Sequence, residues 1–268
     1  MSGVRIPVAP AVPAMRLSTN RKTCTHADPK GNAPNQWHPV PNAFGVSRES
    51  CAAHKTAFCQ GCYAAAIDRA FPSVGRMMAN NYAAVMAYER RPDALAEVFA
   101  ALLDQSSAAQ RLAGVTNPSF RWCWDGELAH QSMATGIARA HEMRPDVRGW
   151  VYTRAHKWAH RFRLPDTGRP PETLAVFLSV DRDNLGSARR AIARHSWLRL
   201  AFSGDSWEET TALAGALEQP RGLRCPELTG RVPLVDPETR QGACTACAYC
   251  LPGGTGHVRF STGKDAPR

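Results

Sequence analysis

Three closely spaced cysteines are candidate ligands of a metal centre: Cys51, Cys59 and Cys62 form a C-x7-C-x2-C pattern. A gap of two residues lets two thiolates point at one metal from a tight turn, whereas the loop it closes is too small for a useful structural disulfide. Three thiolates on a four-iron (4Fe-4S) cluster leave one iron without a protein ligand, so a small molecule can chelate that iron. His54 offers the alternative, a zinc ion held by three thiolates and an imidazole. The spacing alone leaves cluster and zinc open.

A second cysteine group lies near the end of the chain. Cys244, Cys247 and Cys250 form C-x2-C-x2-C, and Cys225 upstream can supply a fourth thiolate. Four thiolates make a closed site, which indicates structural zinc or an auxiliary cluster. Zinc is the simpler interpretation, but three cysteines at such short gaps crowd a single tetrahedral ion, so both stay open. Metal-binding thiols predict a reducing compartment and hence a cytoplasmic location.

Polar side chains stand at the ends of several predicted strands, where α/β enzymes place their reactive groups. Glu127 follows a glycine turn after the predicted strand 120–124; it suits the ammonium of an amino-acid-like ligand, or else it caps the next helix. Ser179 and Asp181, two apart in an extended chain, point to one side and suit a ribose diol. Arg154 ends another strand and is a candidate binder of carboxylate or phosphate.

The elements that must position these residues follow from the pattern of the chain. Short apolar runs predict strands that alternate with helices, which implies parallel pairing through right-handed crossovers and an α/β fold, either a barrel or an open sheet. The predicted strands are residues 120–124, 149–153, 174–180, 198–203 and 257–260. The predicted helices between them are residues 127–143 and 184–195, with weaker signals at 154–163 and 207–217.

Helices are also predicted between the first cysteine group and the first of these strands. One spans residues 63–70, a second ends before Pro92, and Pro92 starts a third. The third carries apolar residues at helical spacing, which indicates a face in the core. These residues are Leu95, Val98, Phe99, Leu102 and Leu103.

Length and composition limit the class of protein. The 268 residues, 44% of them hydrophobic, can bury a sizeable core. No apolar run approaches the roughly 20 residues that span a bilayer, so we expect no membrane insertion. Prolines break up the first 15 residues, which favours an extended arm over a secretory signal. We divide the chain into an arm and loop (1–42), an α/β unit with an iron-sulfur site (43–220) and a cysteine-rich extension (221–268).

The chain is basic, with 33 Lys and Arg against 23 Asp and Glu. The net charge of +10 favours an anionic partner such as nucleic acid or a nucleotide. The alternative is compositional, because arginine supplies nearly all of the positive charge, as a GC-rich genome would produce.

Five further residues have no assigned role. Cys24 and His26 can donate two ligands, but an isolated pair near the N-terminus is more often without function. Cys123 lies on a predicted strand between two tryptophans and is expected to be a buried thiol. His156 and His160, four apart on a possible helix, are expected at the surface or on a phosphate.

The motifs together resemble a known family. The C-x7-C-x2-C group ending in Cys62-Tyr63, the Asp-Gly-Glu turn ending in Glu127 and the Leu-Ser-x-Asp strand at 178–181 look like a divergent form of the radical S-adenosylmethionine superfamily. Residues 120–122 and 150–154, with the C-terminal C-x2-C-x2-C, resemble the phage "gene product eighty-eight" family. The resemblance spans about residues 45 to 260.

This resemblance implies a partial (β/α) TIM-like barrel with a 4Fe-4S cluster at its top and a cysteine-rich metal-binding extension. It also implies that S-adenosylmethionine is a cofactor and, for a phage-encoded chain, that the location is the host cytoplasm. Cys51, Cys59 and Cys62 would hold the cluster, Glu127 would take the place of the superfamily's acidic residue, and Ser179 and Asp181 would face the ribose.

Three functional hypotheses follow. The first is a radical S-adenosylmethionine-like enzyme that abstracts a hydrogen atom from its substrate. The second is a zinc-stabilised module that binds nucleic acid or protein without catalysis. The third keeps an iron-sulfur cluster but performs no radical chemistry. The strand-end residues Glu127, Ser179 and Asp181 favour the first, because a binding module has no reason to align them above a cysteine site.

Overall fold

The computed structural model describes residues 12–20, 22–23, 25–27, 37–239 and 241–263. Cys24 and the side chain of His26 lie outside the described residues, so their predicted roles remain predictions. The strands are β1 (Thr25–Ala27), β2 (Trp37–Pro39), β3 (Ala43–Phe44), β4 (Ser119–Trp122), β5 (Arg148–Thr153), β6 (Leu174–Val180), β7 (Arg199–Gly204), β8 (Leu223–Arg224) and β9 (Val258–Ser261).

Seven of these strands form one sheet. Their order is β3-β4-β5-β6-β7-β9-β8, and every neighbouring pair is parallel. The prediction of an α/β fold with parallel pairing is therefore confirmed. β9 lies between β7 and β8, so the cysteine-rich extension contributes two strands to the sheet. β1 and β2 form a separate antiparallel pair.

The helices follow the predicted order, except that the short last one was not predicted. They are α1 (Tyr63–Ala70), α2 (Pro72–Met86), α3 (Pro92–Leu112), α4 (Gln131–Met143), α5 (Leu185–Ile192), α6 (Trp207–Ala216) and α7 (Ala243–Cys247). Short 3-10 helices span Arg48–Cys51, Ala57–Gly61 and His156–Phe162. The weak helical signal at 154–163 is thus a 3-10 helix, and the helix predicted from residue 127 begins at Gln131, because Glu127 takes part in a turn.

The two faces of the sheet are covered differently. Helices α3, α4, α5 and α6 pack on one face, whose buried residues form the main core. Leu95, Phe99, Leu102 and Leu103 of α3 are buried there as predicted, while Val98 is half-buried. The other face, which we call the aromatic face, carries Trp150, Tyr152, Phe177, Val258 and Phe260 and is covered by Leu251 and Tyr249 of the extension.

Part of the predicted N-terminal arm packs on the α/β unit. Ser18 forms an antiparallel bridge with Ala43 of β3, and the Asn81 side chain hydrogen-bonds the backbone N–H and carbonyl of Arg16. Residues 1–11 lie outside the described residues. No described helix combines the length and the apolar character that crossing a membrane requires.

A buried histidine joins β4, β5 and α4. The Trp122 Nε1–H donates to Nε2 of His141 at 2.9 Å, and Nδ1 of His141 lies 3.1 Å from the Val147 carbonyl. The carbonyl can only accept, so Nδ1 carries the proton and the imidazole is neutral. Burial lowers the pKa of His141 to about 4. A β-carbon on Gly149 would lie 2.4 Å from Nε2 of His141, which explains the glycine at that position of β5.

His141 makes the stability of the fold sensitive to acid. Its pKa lies below the ordinary 6.5, so the unfolded chain binds the proton more readily and stability falls as the pH drops from 6.5 to about 4. We expect the free energy of unfolding to fall by about 3 kcal/mol over that pH range because of this histidine. The measurement is the free energy of urea unfolding against pH for the wild type and for His141→Gln, which cannot titrate. The stability difference between the two should change by that amount, and parallel curves would contradict the prediction.

Candidate functional site

The predicted site residues lie together at the carboxyl edge of the sheet. Glu127 follows β4, Arg154 follows β5 and Asp181 follows β6. Glu127 is 6% exposed and Asp181 is 0% exposed, so both carboxylates are buried at this edge. The cysteine segment 48–62 is hydrogen-bonded to the Asp181 carboxylate through Thr56 and to the backbone N–H of Glu127 through Ser50. The structure therefore brings the first cysteine group and the strand-end residues into one place.

Glu127 connects two strands. Its Oε1 accepts from the Thr153 hydroxyl at 2.6 Å and from the backbone N–H of Leu128 at 2.8 Å. Its Oε2 accepts from the backbone N–H of Arg154 at 2.5 Å. Burial raises the pKa of Glu127, while these hydrogen bonds oppose the rise. Glu127 thus fixes the turn after β4 to the end of β5, and it does not cap the next helix.

Asp181 is the buried partner of two side chains. Its Oδ2 accepts from the Thr56 hydroxyl at 2.9 Å and forms an ion pair with Nη2 of Arg154 at 3.3 Å. Its Oδ1 accepts from the backbone N–H of Asp183 at 3.0 Å. Ser179, two residues earlier on β6, is half-buried, and its carbonyl accepts from the Asn184 side chain. Asp181 thus holds the chain just before Cys59.

Each cysteine turn is anchored by the residue in front of it. Ser50, which precedes Cys51, accepts from the backbone N–H of Glu127 at 2.8 Å and donates to the Ser47 carbonyl at 2.7 Å. Thr56 precedes the 3-10 helix that carries Cys59 and is held by Asp181. Ser50 and Thr56 were missed by sequence reasoning, because hydroxyl residues are common in loops and their partners are distant in sequence.

The three thiols are free, and each is half-buried. Cys59 Sγ accepts from Nε of Arg154 at 3.4 Å and lies 3.7 Å from the Thr56 hydroxyl. Burial, followed by the nearby Glu127 and Cys62, raises the pKa of Cys51 to about 12. A bound cation would reverse this effect, because it stabilises the thiolate. Soft thiolate donors of this kind fit an iron-sulfur cluster.

His54 is placed against an aromatic side chain. Its ring packs edge-on against Trp158, with 4.8 Å between the ring centres. Burial and the nearby Lys157 lower the pKa of His54 to about 4, so the ring is neutral. Its buried Nε2 has no hydrogen-bond partner in the described part of the chain. A neutral imidazole is the form that coordinates zinc, so His54 is the residue that would complete the alternative zinc site.

The other candidate residues are placed as follows. Cys123 is a buried thiol in the main core, as predicted. His156 was expected at the surface or on a phosphate, but it is buried between the Ser187 hydroxyl at 2.8 Å and the Ser179 carbonyl at 3.0 Å. His160 bonds the Lys157 carbonyl. The two histidines do not share a helical face, because the segment is a 3-10 helix.

The second cysteine group is also brought together. Cys225, Cys244, Cys247 and Cys250 line one cavity beside the aromatic face. Cys247 ends α7, and the left-handed Ala248, with φ 53°, turns the chain so that Cys250 follows. Across the described ranges, no three His, Cys, Asp or Glu side chains are grouped as the ligands of one metal ion would be.

Gly126 is required by a close approach of two backbone segments. It has φ +70°, and a β-carbon there would lie 2.3 Å from the Val46 carbonyl oxygen and 2.9 Å from that of Ser47. We expect Gly126→Ala to lower the free energy of unfolding by about 3 kcal/mol, because it adds both strain and a clash. The control is Gly215→Ala in α6, where a β-carbon meets nothing within 4 Å and alanine should raise stability slightly. Equal effects in the two urea titrations would contradict this reading.

Comparison with known proteins places the chain in one protein family. The family model "Gene product 88" matches residues 15–253. The Gene 88 protein of Mycobacterium phage L5 is 31% identical over 148 residues, which are 54% of this chain and 55% of that protein. The Gene 88 protein of Mycobacterium phage D29 is 30% identical over 149 residues, with the same coverage. The chain thus spans about half the length of the curated relatives it matches. No solved structure gives a significant match.

Proposed function

This chain belongs to the gene product 88 family, and from that premise we propose that it is an iron-sulfur enzyme of the radical S-adenosylmethionine type. One observation carries the proposal: the three-cysteine segment is hydrogen-bonded to the buried Asp181 carboxylate and to the backbone N–H of Glu127, at the carboxyl edge of a parallel sheet. A protein that needed thiols only for stability would gain nothing from placing them at this edge. Open α/β sheets bind their ligands at this edge.

Cys51, Cys59 and Cys62 would hold a 4Fe-4S cluster, since their soft donors fit it and three thiolates leave one iron open. When bound, the cluster and S-adenosylmethionine supply an electron and an organic radical that abstracts a hydrogen atom from the substrate. The hydrogen bond from Nε of Arg154 to Cys59 Sγ stabilises negative charge on that sulfur.

The residues around the cysteines would bind and orient the cofactor. Arg154 is 15% exposed and carries a fixed positive charge, so it suits a carboxylate. Half-buried Ser179 offers a hydroxyl that suits a ribose, and buried Asp181 would hold Arg154 and Thr56 in place beside it. Glu127 would set the shape of this pocket by holding the ends of β4 and β5 together. We propose further that the sheet is the wall of a partial barrel, since its strands follow chain order from β3 to β7.

The substrate is proposed to be anionic, as a nucleotide or nucleic acid is. Lys157, Arg161 and Arg163 lie on or next to the 3-10 helix that follows β5, and all three are exposed. That helix contacts the cysteine segment through Trp158 and His54. Positive charge beside the site would attract a phosphate-bearing substrate. The free thiols suit a reducing cytoplasm, which we propose as the location.

The test is metal analysis of protein purified without oxygen and reconstituted with iron and sulfide. The proposal expects a brown protein with about four irons per cluster, which forms 5′-deoxyadenosine when supplied with S-adenosylmethionine and a reductant. Colourless protein that holds only zinc would overturn it and favour a zinc-stabilised binding module. A brown protein that binds S-adenosylmethionine without cleaving it would identify an iron-sulfur protein without radical chemistry.

A further inference from the structure

The cavity beside the aromatic face has the size and lining of a site for a multi-atom group. It measures about 70 Å³. A single water needs only ~10–15 Å³. Four sulfurs that each lie about 2.3 Å from one zinc ion enclose no cavity beyond the ion itself. The cavity is lined by the four thiols together with Trp150, Tyr152, Val258 and Phe260. The cavity that the four thiols line is therefore larger than a single ion requires.

Positive charge lies beside the sulfur atoms. Cationic Arg121 and Lys22 line the cavity together with the four cysteines. Positive charge near a cysteine favours the thiolate, which is the form that binds metal. This lining therefore suits sulfurs that act as ligands.

One donor in the cavity wall has no acceptor. Trp150 is 1% exposed and lines the cavity, and its indole Nε1–H has no hydrogen-bond partner among the described residues. A buried donor left without a partner costs about 1–3 kcal/mol. A sulfur acceptor inside the cavity, such as a cluster sulfide or a metal-bound thiolate, would remove that cost.

We propose that Cys225, Cys244, Cys247 and Cys250 hold a second, fully ligated 4Fe-4S cluster in this cavity, with the Trp150 indole N–H bonded to one of its sulfurs. The C-x2-C-x2-C run with a remote fourth cysteine is the ligand spacing of four-iron ferredoxins. Four protein ligands leave no open iron, so this cluster transfers electrons or stabilises the fold and does not bind S-adenosylmethionine. The inference does not depend on radical chemistry at the first group.

Two variants with multiple substitutions separate the sites. In Cys51→Ser/Cys59→Ser/Cys62→Ser, reconstituted without oxygen, we expect about four irons and four sulfides per chain to remain. In Cys225→Ser/Cys244→Ser/Cys247→Ser/Cys250→Ser, that iron should be lost. If the first variant holds only zinc, or no metal, the proposal is overturned, whatever the outcome at the first group.

A milder substitution tests the cavity without removing a ligand. In the background that lacks the first three cysteines, Trp150→Phe should keep the iron and make the reduction potential more negative, because a hydrogen bond to sulfur stabilises the reduced cluster. Trp197→Phe, at a half-buried position on the main core, is the matched control and should leave the potential unchanged. An unchanged potential in Trp150→Phe would overturn the placement of the cluster against this indole.

Discussion

Under the proposed function, replacing Cys59 with alanine is expected to lower the rate of S-adenosylmethionine cleavage by more than about 100-fold, because Cys59 would be a cluster ligand and a lost ligand should cost at least as much as a lost outer-shell partner. Cys59 is the cysteine whose sulfur accepts from Arg154 and lies beside Thr56. Without Cys59, only two thiolates of this group would remain to bind the proposed four-iron cluster. The measurements are 5′-deoxyadenosine formation and iron content under anaerobic conditions.

The matched control is Cys123→Ala. Cys123 is 7% exposed and packs in the main core, so its removal should cost about 1–2 kcal/mol of stability and leave iron content and cleavage intact. Because the second cysteine group is proposed to hold its own cluster, the iron lost in Cys59→Ala should amount to one cluster and no more. A Cys59→Ala protein with full iron and wild-type cleavage would refute the assignment of the first cysteine group.

Replacing Arg199 with methionine is expected to lower the free energy of unfolding by about 4 kcal/mol. This arginine, 5% exposed at the start of β7, donates to the carbonyls of Gly256 at 2.8 Å, Leu251 at 3.2 Å and Tyr249 at 2.7 Å. Its guanidinium also lies 4.2 Å from the ring centre of Phe177. Methionine fills similar space but leaves three carbonyls without a donor.

The effect should be concentrated in residues 249–256, the segment that contains the last cysteine and leads to β9. We therefore expect faster limited proteolysis of this loop, together with a lower urea midpoint. The control is Arg90→Met at an exposed position, which should stay within about 0.5 kcal/mol of the wild type. If Arg199→Met and Arg90→Met unfold at the same urea concentration, the arginine does not hold the loop.

Local sequence patterns predicted much of the fold. The strand at 174–180 and the apolar face of α3 were predicted with their correct positions, because both depend on the spacing of neighbouring side chains. The strand expected at 120–124 ends at Trp122, because Cys123 has a left-handed φ of 49°. No pattern in the neighbouring sequence predicts this left-handed backbone conformation, because it depends on the tertiary packing around the buried Cys123 thiol.

Contacts between distant parts of the chain could not be predicted. The two-residue strand β3 exists only because β4 pairs with it, and Arg199 meets its three carbonyls some 50 residues away. The candidate site was likewise only partly predictable from the sequence. Cysteine spacing predicted both groups, but the hydrogen bonds of Ser50 and Thr56 to strand-end residues depend on the tertiary fold.

The position of β9 has a consequence for synthesis on the ribosome. β7 and β8 leave the exit tunnel before β9, yet β9 must be placed between them. Until residues 258–261 emerge, the edge of β7 has no parallel partner on that side and the aromatic face lacks Val258 and Phe260. An unpaired edge beside exposed aromatic rings favours aggregation of nascent chains. Translation that stalls shortly before residue 258 should therefore yield more insoluble product than a stall at residue 195, before β7 has been made.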